Sequence, residues 1–284
     1  MKKIDTHQHL LYPEQFNYSW TKDFPVLGGA FTLEDYRNQA KGCDIEGTVF
    51  MEVDVDAEDI AAEGQFFGSL AGDSSSQILG IIASCRPEEA DFEAQIEAVQ
   101  SPALRGIRRV LHTHPDELSH SIGFRANMAK LARMGLTADL CVSQQQHGSA
   151  LELIQACPDT RFILDHCGCP DIAKHPTSDT EGFQNWKAGI HRLAKQENLI
   201  CKLSGITAYA KPEQRTKAGL APYVTEILES FGPQRMVWGG DWPVCNLADG
   251  LKKWCQLTDE LIADLSADEQ SQILYINAQT FYSL

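Results

Sequence analysis

Several features that mark large functional classes are missing from this sequence. It has no run of about 18 apolar residues, so it offers no helical membrane span. Positive charge is scarce: 24 lysines and arginines stand against 39 acidic residues, a formal net charge of -15. A nucleic acid or an anionic membrane surface needs a basic footprint to displace counterions, so neither is an expected partner. No two of the nine cysteines make a Cys-x-x-Cys pair of the kind that builds zinc or redox sites. There is no Gly/Ser linker, low-complexity tract or internal repeat, and the N-terminus enters strand-like residues without an apolar signal region. Several cysteines lie inside apolar runs, as in Asp139-Leu140-Cys141-Val142 and Leu199-Ile200-Cys201-Lys202-Leu203. They read as buried thiols of a soluble protein in a reducing, cytoplasmic compartment.

With 43% hydrophobic residues in 284, the chain can bury a sizeable core. Short apolar or β-branched runs alternate with helix-patterned segments over nearly its whole length. Strands are expected near residues 2–7, 47–54, 77–84, 104–111, 136–142, 161–166, 199–204 and 235–240. Eight strands with intervening helices predict an α/β fold, a (β/α)8 TIM barrel forming a single domain over residues 1–284. Helix starts are expected at Pro87, which opens the acidic turn Pro87-Glu88-Glu89-Ala90-Asp91, and at the capping patterns Ser266-Ala267-Asp268-Glu269 and Thr32-Leu33-Glu34-Asp35. Residues 10–31 and 170–181 have no helical or strand period. Both follow a strand, so in a barrel they become extended loops of the rim where substrates bind.

A barrel concentrates reactive side chains at the ends of its strands, and the sequence has such a pattern. The first strand ends in His7-Gln8-His9, where alternation places Asp5, His7 and His9 on one face. The fourth runs through Arg105-Gly106-Ile107-Arg108-Arg109 to His112-Thr113-His114, and only one of Arg108 and Arg109 can face inward. The sixth ends at Asp165-His166, the seventh at Lys202-Leu203-Ser204 and the eighth at Gly239-Gly240-Asp241-Trp242-Pro243. Two glycines and the following proline set the Asp241 carboxylate at a constrained turn. Taken singly, His112, His114, His120 and His147 read first as solvated residues of polar loops.

His7-Gln8-His9, Arg105-Gly106-Ile107-Arg108, Leu164-Asp165-His166-Cys167-Gly168, Lys202-Leu203-Ser204-Gly205 and Gly239-Gly240-Asp241-Trp242-Pro243 resemble the signatures of the amidohydrolase-2 family, in the same order and over essentially the whole chain. The match is similar to its lactonase branch, which includes L-fuconolactonase-like sugar lactone hydrolases and pyrone-dicarboxylate lactonases. The resemblance implies a hydrolase in which His7, His9 and His166 line the site and Asp241 acts on water. Metal-dependent relatives add a histidine from the fifth strand, which Leu136-Thr137-Ala138-Asp139-Leu140-Cys141-Val142 does not contain. That absence argues against a binuclear site and leaves either no metal or a single Zn²⁺ on His7, His9 and Asp241.

The expected reaction is the opening of a sugar-acid lactone, with Asp241 as base and His166, aided by Arg108 or a metal, polarising the carbonyl. Candidate substrate contacts are Trp20, Tyr18 and Trp242 as stacking surfaces, and Asp139, Gln144 and His112 as polar partners. Gln145 and Gln146 lie beside Gln144 and share its reading. A single inward arginine favours a neutral lactone over a pyrone dicarboxylate, which needs more fixed cations. The competing readings are a pyrone- or muconolactone-type lactonase, a metal-dependent decarboxylase, and a non-catalytic barrel. Nothing in the sequence indicates the oligomeric state.

Overall fold

A computed structural model describes all 284 residues. Eight parallel strands follow one another around a single sheet in chain order: β1 (Lys3–Gln8), β2 (Ile45–Met51), β3 (Ile78–Ser84), β4 (Leu104–Val110), β5 (Thr137–Cys141), β6 (Arg161–Leu164), β7 (Leu199–Leu203) and β8 (Met236–Trp238). The eight strand positions expected from the sequence are all present. The ring closes where the residues after β8 meet β1: Asp241 N donates to His7 O at 2.9 Å and His9 N to Trp242 O at 2.8 Å. The fold is a TIM barrel.

The barrel is filled from below by Ile4, Val49, Met51, Ile82, Ile163, Ile200 and Val237, and its lower mouth is closed by Ala278 and Tyr282 of the last helix. A second apolar layer lies between strands and helices, where Phe50 stacks on Phe67 and Trp186 packs with Phe183 and Tyr223. No helix is long and apolar enough to cross a membrane. All nine cysteines are buried and unpaired.

Both capping boxes form. Asp35 N donates to Thr32 Oγ1 while Thr32 N donates to Asp35 Oδ2, and Ser266 and Glu269 make the same reciprocal pair. Pro87 does not begin a helix; the next helix starts at Phe92. Asn127 Nδ2 donates to the carbonyls of Pro87 and Glu89, and Glu88 turns to Arg109, so these residues spend their polar groups elsewhere. The loop 10–31 is also more ordered than its lack of period suggests. It carries two short helical turns, Ser19–Asp23 and Pro25–Leu27, and its ends are pinned by the antiparallel pair Leu11 and Phe31.

Candidate active site

β1 delivers its histidines with a break in alternation. Its register against β2 slips between Asp5 and Gln8. Asp5 therefore does not join His7 and His9 in the pocket: its carboxylate accepts from Tyr36 OH at 2.7 Å, Gly240 N at 2.7 Å and His7 N at 2.9 Å. Burial pushes the Asp5 carboxyl up, and these three donors oppose the shift. Asp5 thus clamps the end of β8 to β1. The clamp needs glycine, because a Cβ on Gly240 would fall 2.4 Å from Asp5 Oδ2 and one on Gly239 2.6 Å from His7 Cβ.

The His7 ring lies 4.8 Å from His9 and 4.5 Å from His166 between centroids, so three imidazoles share one small space. Lys202 Nζ and Arg108 NH1 stand 3.2 and 3.3 Å from the two ring nitrogens of His7. Both cations can only donate, and a neutral imidazole has a single acceptor nitrogen. Asp165 Oδ1, 3.4 Å from Nδ1, faces the ring proton; Nε2 then accepts from Arg108, and Lys202 bonds Asp139. Burial, reinforced by Lys202 and opposed by Asp165, holds His7 well below the ordinary histidine range. His9 Nδ1 lies 3.0 Å from the Met51 carbonyl, which fixes the proton there and aims Nε2 at Asp241 Oδ1, 3.6 Å away.

The turns after β6 and β8 are both left-handed. His166, Cys167 and Cys169 have φ of 52°, 54° and 47°, and Asp241 has φ of 55°. Such conformations cost about 1–3 kcal/mol each and persist where neighbours over-determine them. Here Trp186 Nε1 donates to Cys167 O, and His147 Nε2 to Gly168 O at 2.8 Å. His147 is therefore a buried prop for this turn and not a solvated loop histidine, and burial drives it down to about 4. His166 Nδ1 is 2.9 Å from Ser204 Oγ, leaving Nε2 for the pocket. Burial lowers the His166 pKa, but the Asp241 carboxylate and Cys141 more than compensate and lift it to about 9.

Under these groups lies a buried charge network that the sequence reading did not single out. Lys202 bonds Asp139 and lies 3.1 Å from Asp165 Oδ1. Tyr282 OH donates to Asp139 at 3.2 Å from the barrel floor. Burial raises Asp139 to about 6 against the pull of Lys202, whereas Lys202 and His7 overcome burial and hold Asp165 well below the carboxylate range. The signal was a lysine in the middle of an apolar strand, Leu199-Ile200-Cys201-Lys202-Leu203. Arg108 faces inward and Arg109 outward to Glu88, as alternation requires.

Cys141, at the end of β5, was read only as a buried thiol. Its Sγ is 3.2 Å from His112 Nδ1. The Cys169 thiol and, against the effect of burial, the His112 and His166 imidazoles hold it well below the ordinary thiol range. His112 is itself exposed at the rim.

The other candidate substrate contacts are dispersed. Trp242 is buried edge-on against Phe31 and Tyr36, outside the pocket, because Asp241 turns inward and its neighbour must turn away. Tyr18 is buried with its hydroxyl taking Tyr12 N, and neither ring offers a stacking face. Asp139 belongs to the floor and faces Lys202. Trp20 is half-buried with Nε1 donating to Val53 O, and Gln144 accepts from Asp171 N. Gln145 is exposed, and Gln146 caps Ser143 and donates to the carbonyls of Leu111 and His114. His114 is half-buried at the rim, and His120 is exposed near Glu152.

His7, His166 and Asp241 each offer a ligand atom, all within 4.8 Å of one another and all buried. Two imidazoles and a carboxylate fit a single borderline divalent ion such as zinc. A second group with the same spread is Cys141, Asp165 and His166.

A family model described as amidohydrolase matches residues 4–284. A protein of uncharacterised function from Sinorhizobium fredii is 27% identical over 300 residues, covering 98% of this chain and 97% of that one. An L-fucono-1,5-lactonase from Burkholderia multivorans is 26% identical over 292 residues, covering 99% and 96%. Among solved structures, an amidohydrolase from Burkholderia multivorans with bound Zn superposes with a TM-score of 0.89 at 23% identity, covering 100% of both chains.

Proposed function

The chain belongs to the amidohydrolase family, and on that footing we propose that it is a lactonase that opens a sugar-acid lactone with Asp241 as base for the attacking water. The observation that carries this reading is the placement of the Asp241 carboxylate on a left-handed turn among His7, His9 and His166. The full-length likeness to an L-fucono-1,5-lactonase supports the same chemistry.

In this mechanism Asp241 takes the proton of a water lying between it and His9, whose Nε2 faces the same oxygen. His166 Nε2 donates to the lactone carbonyl as it gains charge and then supplies the proton to the departing ring oxygen. Ser204 holds the ring of His166 in place through Nδ1. A divalent ion bound by His7, His166 and Asp241 would supply Lewis-acid polarisation of the carbonyl in place of the His166 proton, since Ser204 leaves that ring a single free nitrogen. An ester is activated enough for a carboxylate base, which fits a lactone better than an amide.

The state of the arginines favours a neutral substrate. Arg108 is the inward cation, and Glu52 occupies it through both side chain and carbonyl. At the rim Arg109 is paired with Glu88 and Arg86 lies 3.7 Å from Asp54. None of these three guanidiniums is left to receive a second carboxylate.

A pH-stat panel of aldonolactones, aromatic lactones and 2-pyrone-4,6-dicarboxylate tests the assignment. Deoxy-hexono-lactones should exceed the dicarboxylate by about a hundredfold or more in kcat/KM. The absence of hydrolysis across the panel would overturn the reading, and a preference for the dicarboxylate would overturn its substrate half.

A further inference from the structure

β5 and β6 pair in register through Leu140 and Leu164, so the residues that follow, Cys141 and Asp165-His166, leave the barrel side by side. Cys141 Sγ, an Asp165 oxygen and a His166 nitrogen lie within 4.8 Å of one another. All three residues are buried, at 3%, 0% and 6% exposure. Asp165 Oδ1 has Lys202 Nζ at 3.1 Å and His7 Nδ1 at 3.4 Å, whereas Oδ2 has no hydrogen-bond partner and meets Arg108 NH1 only at 3.9 Å, which is unusual for a carboxylate oxygen sealed from water.

We propose that Cys141, Asp165 and His166 form a thiolate-containing metal site that takes zinc or a similar borderline-soft divalent ion and leaves Asp241 outside the coordination shell. The proposal rests on the reading of this pocket as one that accepts a single divalent ion, and is independent of the lactone.

Two arguments favour this set over His7, His166 and Asp241. The acceptor nitrogen of His7 already receives Arg108 NH1 at 3.3 Å, so recruiting it would break that contact and bring a guanidinium beside the ion. Cys141 Sγ meets no guanidinium or ammonium group at hydrogen-bond distance; its near contact is His112 Nδ1 at 3.2 Å, which can orient the sulfur from the rim. Because Ser204 engages Nδ1 of His166, the ring has one nitrogen to give, and an ion occupies either set but not both. The charges also balance: thiolate and carboxylate neutralise the ion, and the thiol proton leaves to solvent on binding. Soft sulfur selects zinc or cobalt and disfavours magnesium, calcium and manganese. The consequence for the pocket is that the Asp241 carboxylate stays free to act as base and to return its proton to the departing ring oxygen, while the bound ion would replace the His166 proton at the carbonyl.

The test is a Co²⁺ titration of the chelator-stripped full chain. A thiolate ligand gives an intense near-ultraviolet charge-transfer band that nitrogen and oxygen ligands do not. The wild type should show it, Asp241→Asn should keep it, and Cys141→Ser should lose it with an affinity at least about tenfold weaker. Cobalt bound without the band, a band that persists in Cys141→Ser, or no binding by the wild type would each overturn the proposal. X-ray absorption of the zinc-loaded wild type needs no variant: one sulfur near about 2.3 Å is expected, and a shell of nitrogen and oxygen alone refutes the site. Neither readout depends on turnover, so failure here leaves the lactonase reading standing, and the reverse.

Discussion

Arg108 Nε donates to Glu52 Oε1 at 2.5 Å, and its NH2 reaches the Glu52 carbonyl at 2.8 Å, so the inward cation of β4 is bound to the residue after β2. The pair is buried on both sides. Removing one partner strands the other, at a cost of about 3–5 kcal/mol. Glu52→Gln should therefore lower the unfolding free energy by that amount in urea denaturation. It should also raise the activity on anionic lactones relative to neutral ones, since a guanidinium edge becomes available.

Asp241→Asn keeps the shape of the β8 turn and removes the base. The expected result is a fall in kcat of about 10²–10⁴-fold with KM changed little, measured by initial rates on the best lactone of the panel. Near-normal kcat would remove Asp241 from its assigned role.

Lys202 separates two buried carboxylates, Asp139 and Asp165. Lys202→Met should cost about 3–5 kcal/mol at pH 8. The loss should shrink toward pH 5. Burial already lifts Asp139 to about 6, above its unfolded value, so the folded state binds more protons than the unfolded one in the range between. Without the ammonium that range widens, and stability falls as pH rises through it. Thermal melts at several pH values read the trend directly.

His147 predicts the opposite slope. It is buried and neutral with a folded-state pKa of about 4, below its unfolded value of about 6.5. Its contribution is complete above about pH 6.5 and is lost as pH falls toward 4, amounting to about 3 kcal/mol. His147→Gln, which keeps a donor for the Gly168 carbonyl, should flatten melting temperature against pH over that interval.

The barrel was legible because each strand is a short apolar run bounded by polar loops, and alternation alone settled which of Arg108 and Arg109 faces inward. The strand-end positions of His7, His9, His166 and Asp241 were legible for the same reason. Direction within turns was not. Trp242 follows Asp241 immediately, and the left-handed backbone that sends the carboxylate inward sends the indole outward. Asp5 left the expected face because β1 slips register, a feature set by its partner strand and not by its own sequence. Cys141 looked like packing because an apolar run disguises a thiol as a small hydrophobe. Its placement beside His112 and His166 comes from three separate segments.

The left-handed turns at His166–Cys169 and Asp241 carry a thermal consequence. Both hold their side chains in the pocket only while Trp186, His147 and the Asp5 clamp hold the backbone. Heating that loosens these props lets the two turns relax to right-handed backbone and swing the side chains out while the eight-stranded ring remains closed. Catalysis should accordingly fade at temperatures below the calorimetric melting point and return on cooling.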